Sequence, residues 1–246
     1  MAADVERVGL RRVDTPEWRL WAAIAELAGH LAAEQWVLIG GQMVALHLHV
    51  AGVQPTRTTT DIDIVADVLT APGAYAACKN AARKMNLEPQ PSLTGNTLHR
   101  FAGPTGQLDL MVPDHLPRQL TQKFTRPTPV AVAGGQRAID RRTSIAIATT
   151  YGDADIPIPD LRGAIVLKAR AATTDTRDRE RHHLDLAQLC AVVDNPLRLR
   201  DELDAKEKRY LRKVRLDEDP TKAPWLRLNS PVRTRALDTW FTLTAS

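Results

Sequence analysis

Between residues 36 and 65 the chain places, in order, a short apolar run, a glycine pair, a helical stretch and a strand whose alternate positions are aspartate. Trp36-Val37-Leu38-Ile39 reads as a buried strand that ends in Gly40-Gly41, and Gln42 to Val50 reads as a helix ended near Gly52. After a loop over 53–60, Asp61-Ile62-Asp63-Ile64-Val65 alternates polar and apolar residues at period two. Asp61 and Asp63 therefore project from one face of a strand. Two carboxylates held side by side repel unless a cation sits between them, so this order of elements restricts fold and chemistry together.

The flanking sequence is consistent with a mixed α/β sheet. Asp14-Thr15-Pro16-Glu17 supplies helix-start residues, and Trp18, Trp21, Ile24, Leu27, Ala28 and Leu31 then make one apolar helical face. Residues 71–86 read as a crossover helix. Leu98 to Ala102 and Gln107 to Val112 read as strands joined through Gly103-Pro104-Thr105-Gly106. Weaker strand patterns cover Val130 to Val132, Arg137 to Ile139 and Ser144 to Ala148, the first two flanking Gly134-Gly135. From Pro159 onward the pattern turns helical, with helices expected near 160–173, 178–194, 197–215 and 231–243. Ile156-Pro157-Ile158-Pro159 reads as a short rigid connector. The expected architecture is an α/β domain over residues 1–155, a mixed β-sheet with flanking helices, followed by a helical C-terminal domain over 156–246.

Composition narrows the setting. With 246 residues, 43% hydrophobic and 25% charged, the chain is ordinary globular material, not disordered or fibrous. No apolar run approaches the roughly 18 residues that would span a bilayer. The N-terminal segment lacks a secretory pattern, and two cysteines, Cys78 and Cys190, are too few for an oxidised framework. The expectation is a soluble cytoplasmic protein with no membrane association. Charge is uneven: residues 1–160 carry 15 Lys and Arg against 16 Asp and Glu, whereas residues 161–246 carry 18 against 13. That C-terminal excess points to a polyanionic partner or to solvated basic helix faces.

A third carboxylate, Asp109, lies inside the apolar strand Leu108-Asp109-Leu110-Met111. Burying it without a partner would be costly, so it points to solvent or to a site. If its strand lies beside that of Asp61, the three carboxylates form a binding set for a hard divalent ion, Mg²⁺ or Mn²⁺ in its place. Other candidates are weaker. His182 and His183 are adjacent on a helix and diverge by about 100°. His47 and His49 suit packing or the surface. Arg198 to Arg215 holds eight Lys or Arg and four Asp or Glu, a basic face that either cradles RNA phosphates or is solvated and laced with ion pairs. Thr58-Thr59-Thr60 shapes the loop before the acidic strand; a phosphate placed there would set charge against the carboxylates.

Together these residues resemble the nucleotidyltransferase superfamily: a strand, Gly-Gly or Gly-Ser, a helix, Asp-x-Asp on the next strand and a third acid on a later one. The resemblance is closest to its AbiEii/AbiGii branch, the MenT-like toxins of toxin–antitoxin systems. It rests on Leu38-Ile39-Gly40-Gly41-Gln42-Met43-Val44-Ala45-Leu46-His47, on Arg57-Thr58-Thr59-Thr60-Asp61-Ile62-Asp63, and on Leu167-Lys168-Ala169-Arg170-Ala171 followed by Arg177, Arg181 and Leu184-Asp185-Leu186. His182 stands where the branch commonly has an aspartate. The resemblance implies a nucleotidyltransferase-type fold and an NTP substrate. It implies Asp61, Asp63 and Asp109 as metal-binding catalytic residues, and Asp109 as a candidate acceptor for the attacking hydroxyl's proton. By the same resemblance Lys168 binds the triphosphate, Asp185 is a polar anchor for it or for the substrate, and Arg57, Gly40 and Gly41 contribute to nucleotide binding. Glycines at a helix start would let backbone N–H groups approach phosphates.

The implied activity is Mg²⁺-dependent transfer of NMP from an NTP to an RNA acceptor, the tRNA 3′ end, with pyrophosphate leaving and translation blocked, restrained by a cognate antitoxin. The alternatives are transfer to a small molecule or a protein, and a non-catalytic module that binds nucleotide or RNA.

Overall fold

The computed structural model describes residues 8–10, 16–104, 106–150, 152–175, 178–216, 221 and 223–245. Asp14 and Thr15 of the expected helix start, Thr105 of the hairpin turn and Arg177 lie outside the described residues. The chain divides into two compact units, one of Met1–Gln42 with Thr58–Pro159 and one of Met43–Arg57 with Asp160–Ser246.

In the first unit the elements run β1 (Val8–Gly9), α1 (Pro16–His30), β2 (Trp36–Ile39), the start of α2 (Gly40–Val50), β3 (Asp61–Ala66), α3 (Ala74–Lys84), β4 (Glu88–Gln90), β5 (Thr97–Leu98), β6 (Arg100–Gly103) and β7 (Gly106–Pro113). They continue through α4 (Arg118–Thr121), β8 (Thr128–Val132), α5 (Gly135–Asp140), β9 (Arg142–Thr149) and β10 (Gly152–Pro159). The larger sheet has the order β2-β3-β7-β6-β4. β2 is antiparallel to β3, β3 parallel to β7, and β7 antiparallel to β6. Along the other edge of β7, pairing passes from β6 at residues 106–109 to β8 at Met111–Pro113. A smaller sheet has the order β1-β9-β10.

The expected buried strand is confirmed by β2, in which Trp36, Val37 and Leu38 are wholly buried. Beside it, Ile64, Leu108, Leu110 and Phe101 are also wholly buried, so the middle of the sheet is the core of this unit. The apolar face of α1 buries Trp21, Ile24 and Leu27, and Leu31 is buried just past its end, as the three- and four-residue spacing predicts.

The second unit is helical: α6 (Leu161–Thr174), α7 (Arg179–Cys190), α8 (Pro196–Glu202), α9 (Ala205–Val214), α10 (Ala223–Leu226) and α11 (Ser230–Thr244). α7 packs against α6, α10 and α11, and Trp225 and Trp240 are wholly buried. The indole N–H of Trp225 donates to the Leu216 carbonyl at 3.0 Å, so this large side chain is buried with its polar atom satisfied.

Four expected elements differ. The strand expected over Leu98 to Ala102 is interrupted at His99, with β5 paired to β8 and β6 to β7. Arg137 to Ile139 lies in α5 and not in a strand. Gly134 adopts φ +88° and starts a helical turn, and a Cβ on Gly135 would press on Val132, so the glycine pair serves tight packing and not a hairpin. Ile156 to Pro159 is the end of strand β10, paired with Thr143 and Arg142 among others, and not a connector. β10 is an edge strand, where proline's missing N–H is tolerated. The single helix expected over 197–215 is broken at Leu203-Asp204. There the Asp204 side chain accepts from the Glu207 N–H at 2.8 Å and Glu207 accepts from the Asp204 N–H at 2.9 Å, a reciprocal cap that starts α9.

The Glu207 carboxylate, wholly buried, also takes two hydrogen bonds from Arg162 of α6, at 2.6 and 3.1 Å. Glu207→Ala removes the Glu207 half of this cap and takes from the Arg162 charge the carboxylate it pairs with, so it is expected to cost about 3–5 kcal/mol, read as a lowered urea midpoint.

Candidate active site

Strand register brings the predicted carboxylates together. In the parallel pair β3–β7, Asp63 lies opposite Asp109 and Asp61 opposite Gln107. Directly opposed residues share a face, so all three carboxylates leave the sheet on the same side while Ile62, Ile64, Leu108 and Leu110 turn to the core. One oxygen from each of Asp61, Asp63 and Asp109 lies within 4.8 Å of the others. Asp61 and Asp63 are half-buried and Asp109 is buried. A set of oxygens without thiolate or imidazole fits a hard divalent ion such as Mg²⁺ or Mn²⁺. Among the described residues it is the only such grouping of acidic, His and Cys side chains.

Two neighbours shape this set. Gly40, which follows the last residue of β2, has φ +69°, and a Cβ there would overlap the Asp63 carboxylate. Glycine is thus required both for the backbone turn and for the space that Asp63 fills. Gly41 sits in the first turn of α2. The hydroxyl of Thr59 donates to Asp61 at 2.6 Å, which orients that carboxylate.

The sequence reading did not single out Arg100. Antiparallel pairing of β6 with β7 sets it opposite Asp109, and its guanidinium makes a forked pair with both carboxylate oxygens, at 3.0 and 2.9 Å. Gln107 adds a third donor at 3.3 Å to one of them. The hydrogen bonds to Asp109, aided by the charges of Asp109, Asp61 and Asp63, push the Arg100 pKa further up against the effect of burial. The signal was available: with Gly103 and Gly106 closing the hairpin, counting back three on one strand and forward three on the other pairs Arg100 with Asp109.

The remaining predicted residues form a second cluster, within the helical unit. The Lys168 ammonium lies 2.7 Å from Asp185, and Arg57 forks onto the same carboxylate at 2.9 Å through two nitrogens. Lys168 and Asp185 are 4% and 1% exposed, so this is a buried charge cluster. Burial pushes the Asp185 carboxyl up, but Lys168 and Arg57 outweigh it and hold the group below the usual carboxylate range. One residue before Arg57, Thr56 donates through its N–H and hydroxyl to Gln188, one turn beyond Asp185 on α7, at 2.8 and 3.0 Å. Residues 56 and 57 are thereby clamped onto α7, which explains why this segment belongs with the helices.

His182 is buried on the Asp185 side of α7, with Nε2 3.4 Å from Asp175. Burial and then Lys168 lower its pKa, against the bond to Asp175; burial and Arg179 lower that of His183. Neither histidine joins a metal-ligand grouping among the described residues.

Two outcomes follow. Gly40→Ala should leave a folded protein whose divalent-ion affinity, by Mn²⁺ titration, is lower by at least about tenfold, because Asp63 must move. For the histidines the folded pKa lies below the ordinary value, so their contribution to stability is full above about pH 6.5 and declines as pH falls from there toward the folded pKa. The urea midpoint should drop between about pH 7 and pH 5, and His182→Gln should shrink that drop.

A family model described as nucleotidyl transferase AbiEii toxin, type IV toxin–antitoxin system, matches residues 23–242. No curated protein and no solved structure matches the chain. The matched range takes in both clusters and nearly all of the two units, and the resemblance seen at Gly40-Gly41, Asp61-Ile62-Asp63 and Lys168 is therefore one of membership: the chain belongs to the AbiEii nucleotidyltransferase family of toxin–antitoxin toxins, enzymes that use an NTP and are paired with an antitoxin.

Proposed function

We propose that the protein transfers NMP from an NTP to the 3′-terminal hydroxyl of an RNA, tRNA by the family resemblance, and so blocks translation until its antitoxin restrains it. The observation that carries the reading is the row of Asp61, Asp63 and Asp109, three oxygens within 4.8 Å on one sheet face. Nucleotidyl transfer needs little covalent chemistry from the protein beyond in-line positioning and charge neutralisation.

In this reading Asp61, Asp63 and Asp109 would hold the divalent ions, Mg²⁺ or Mn²⁺, which would supply neutralisation of the charge developing on the phosphates and a more acidic attacking hydroxyl. The acceptor oxygen forms a bond to the α-phosphorus as the bond from that phosphorus to the bridging oxygen breaks, and pyrophosphate leaves with the electron pair. Asp109 accepts the hydroxyl proton. Gly40 and Gly41 offer a backbone free of side chains at the start of α2. Lys168, oriented by Asp185, is assigned to the triphosphate together with Arg57.

An RNA acceptor is supported by charge. The C-terminal portion carries the basic excess. A cleft of about 450 Å³ in the helical unit is lined by Arg170, Arg179, Lys213, Thr173 and Tyr210, with no acidic side chain in its lining among the described residues, and the Arg170 guanidinium lies 4.9 Å over the Tyr210 ring. Cations beside hydroxyls and a ring suit a phosphate backbone.

The test is incubation with Mg²⁺, total tRNA and each α-labelled NTP in turn, beside an Asp61→Ala/Asp63→Ala control. Label should enter tRNA with one or more NTPs and only with the unaltered protein. Metal-dependent NTP binding without transfer to tRNA would turn the reading to a small-molecule or protein acceptor.

A further inference from the structure

Arg100 occupies a position the reaction just described does not use. Strand pairing sets three residues in one row across three strands, Asp63 on β3, Asp109 on β7 and Arg100 on β6. The Arg100 fork engages both oxygens of Asp109, and Gln107 takes a further lone pair of the oxygen that receives the Arg100 Nε–H. A carboxylate oxygen has two lone pairs, so that oxygen is already filled. The guanidinium also offsets one of the three negative charges that would attract a divalent ion. Its side chain is nevertheless 44% exposed, so it is not sealed into this pairing. A planar fork that fits a carboxylate fits a phosphate equally well.

We propose that Arg100 is a placeholder cation: it caps Asp109 when no divalent ion is bound, and it transfers its fork to the NTP phosphates when ion and nucleotide enter. This rests on the reading of the carboxylate row as the metal site. Its consequence is coupling. Ion alone must displace Arg100 with nothing to receive the guanidinium, whereas ion with a triphosphate gives it a new partner. Each ligand therefore tightens the other, by the reciprocity that any such linkage obeys. Arg100 acts here as a positioning residue whose removal loosens one ligand and tightens the other, a combination that damage to the sheet would not produce.

The experiment measures Mn²⁺ binding by the electron paramagnetic resonance signal of the free ion, with and without an NTP analogue whose α,β-bridge is methylene. It uses the unaltered protein, Arg100→Gln, Arg100→Lys and Asp61→Ala/Asp63→Ala. Arg100→Gln should bind Mn²⁺ alone at least about threefold more tightly than the unaltered protein, the size expected of a half-exposed ion pair. It should also lose most of the tightening that the analogue produces, and Arg100→Lys, which keeps the charge without the fork, should fall between. Equal or weaker Mn²⁺ binding by Arg100→Gln, or undiminished tightening by the analogue, would overturn the placeholder role while leaving the metal site standing. Failure of both the unaltered protein and Arg100→Gln to bind Mn²⁺, or binding that survives in Asp61→Ala/Asp63→Ala, would overturn the metal site and the proposal with it.

Discussion

Everything chemical in the first unit depends on the register of three strands. Two kinds of row alternate across β3, β7 and β6: Ile62, Leu108 and Phe101 in one, Asp63, Asp109 and Arg100 in the next. The apolar row is buried and the charged row makes the site. Because side chains alternate strictly, a slip of one residue in either pairing would drive a carboxylate into the core and lift an aliphatic side chain out of it. Core formation and site assembly are therefore one event: the hydrophobic effect that fixes the apolar row also forces three negative charges together. The sheet absorbs that repulsion locally, through Arg100 and Gln107 on Asp109 and Thr59 on Asp61.

The helical unit organises charge differently. Asp185 is nearly inaccessible and has two cationic partners, Lys168 and Arg57, so its carboxylate organises a cluster whose net charge is positive. Desolvation opposes such a cluster, and its stability depends on short, well-directed contacts to both oxygens. Arg57 comes from a segment far away in the sequence, and the neighbouring Thr56 is clamped to the same helix through Gln188. The cluster therefore anchors a loop as well as orienting Lys168.

What the sequence reveals follows the range of the interaction. Strand β3 is legible from five residues of alternation, and Asp109 stands out because a charge between leucines demands an explanation. The neighbouring placement of their strands is confirmed by the parallel pairing. Arg100 was within reach, since both strands and the turn were identified, but only by carrying hairpin register through to side-chain pairs. The overlap between Gly40 and Asp63 joins a helix start to a strand 23 residues later, which no local pattern encodes. The gathering of Arg57, Lys168 and Asp185 is likewise non-local, and those residues were reached by resemblance and not by periodicity. At Arg137 to Ile139 three residues were too few to separate strand from helix, and packing around Gly135 decided for helix.

The space shared by Gly40 and Asp63 has a bearing on how this site can change over evolutionary time. A side chain at position 40 is excluded by the Oδ2, Cγ and Cβ of Asp63 and not by the core, so the exclusion follows the length of the side chain at 63 and not its charge. A descendant whose residue at 63 ended at Cβ would lose the two nearest of these contacts and ease the steric half of the requirement for glycine at 40, with the backbone half unchanged. Loss of chemistry in this lineage should accordingly leave a paired trace, a shortened residue at 63 with asparagine or another residue tolerant of positive φ at 40, distinguishable from the drift of an ordinary loop glycine.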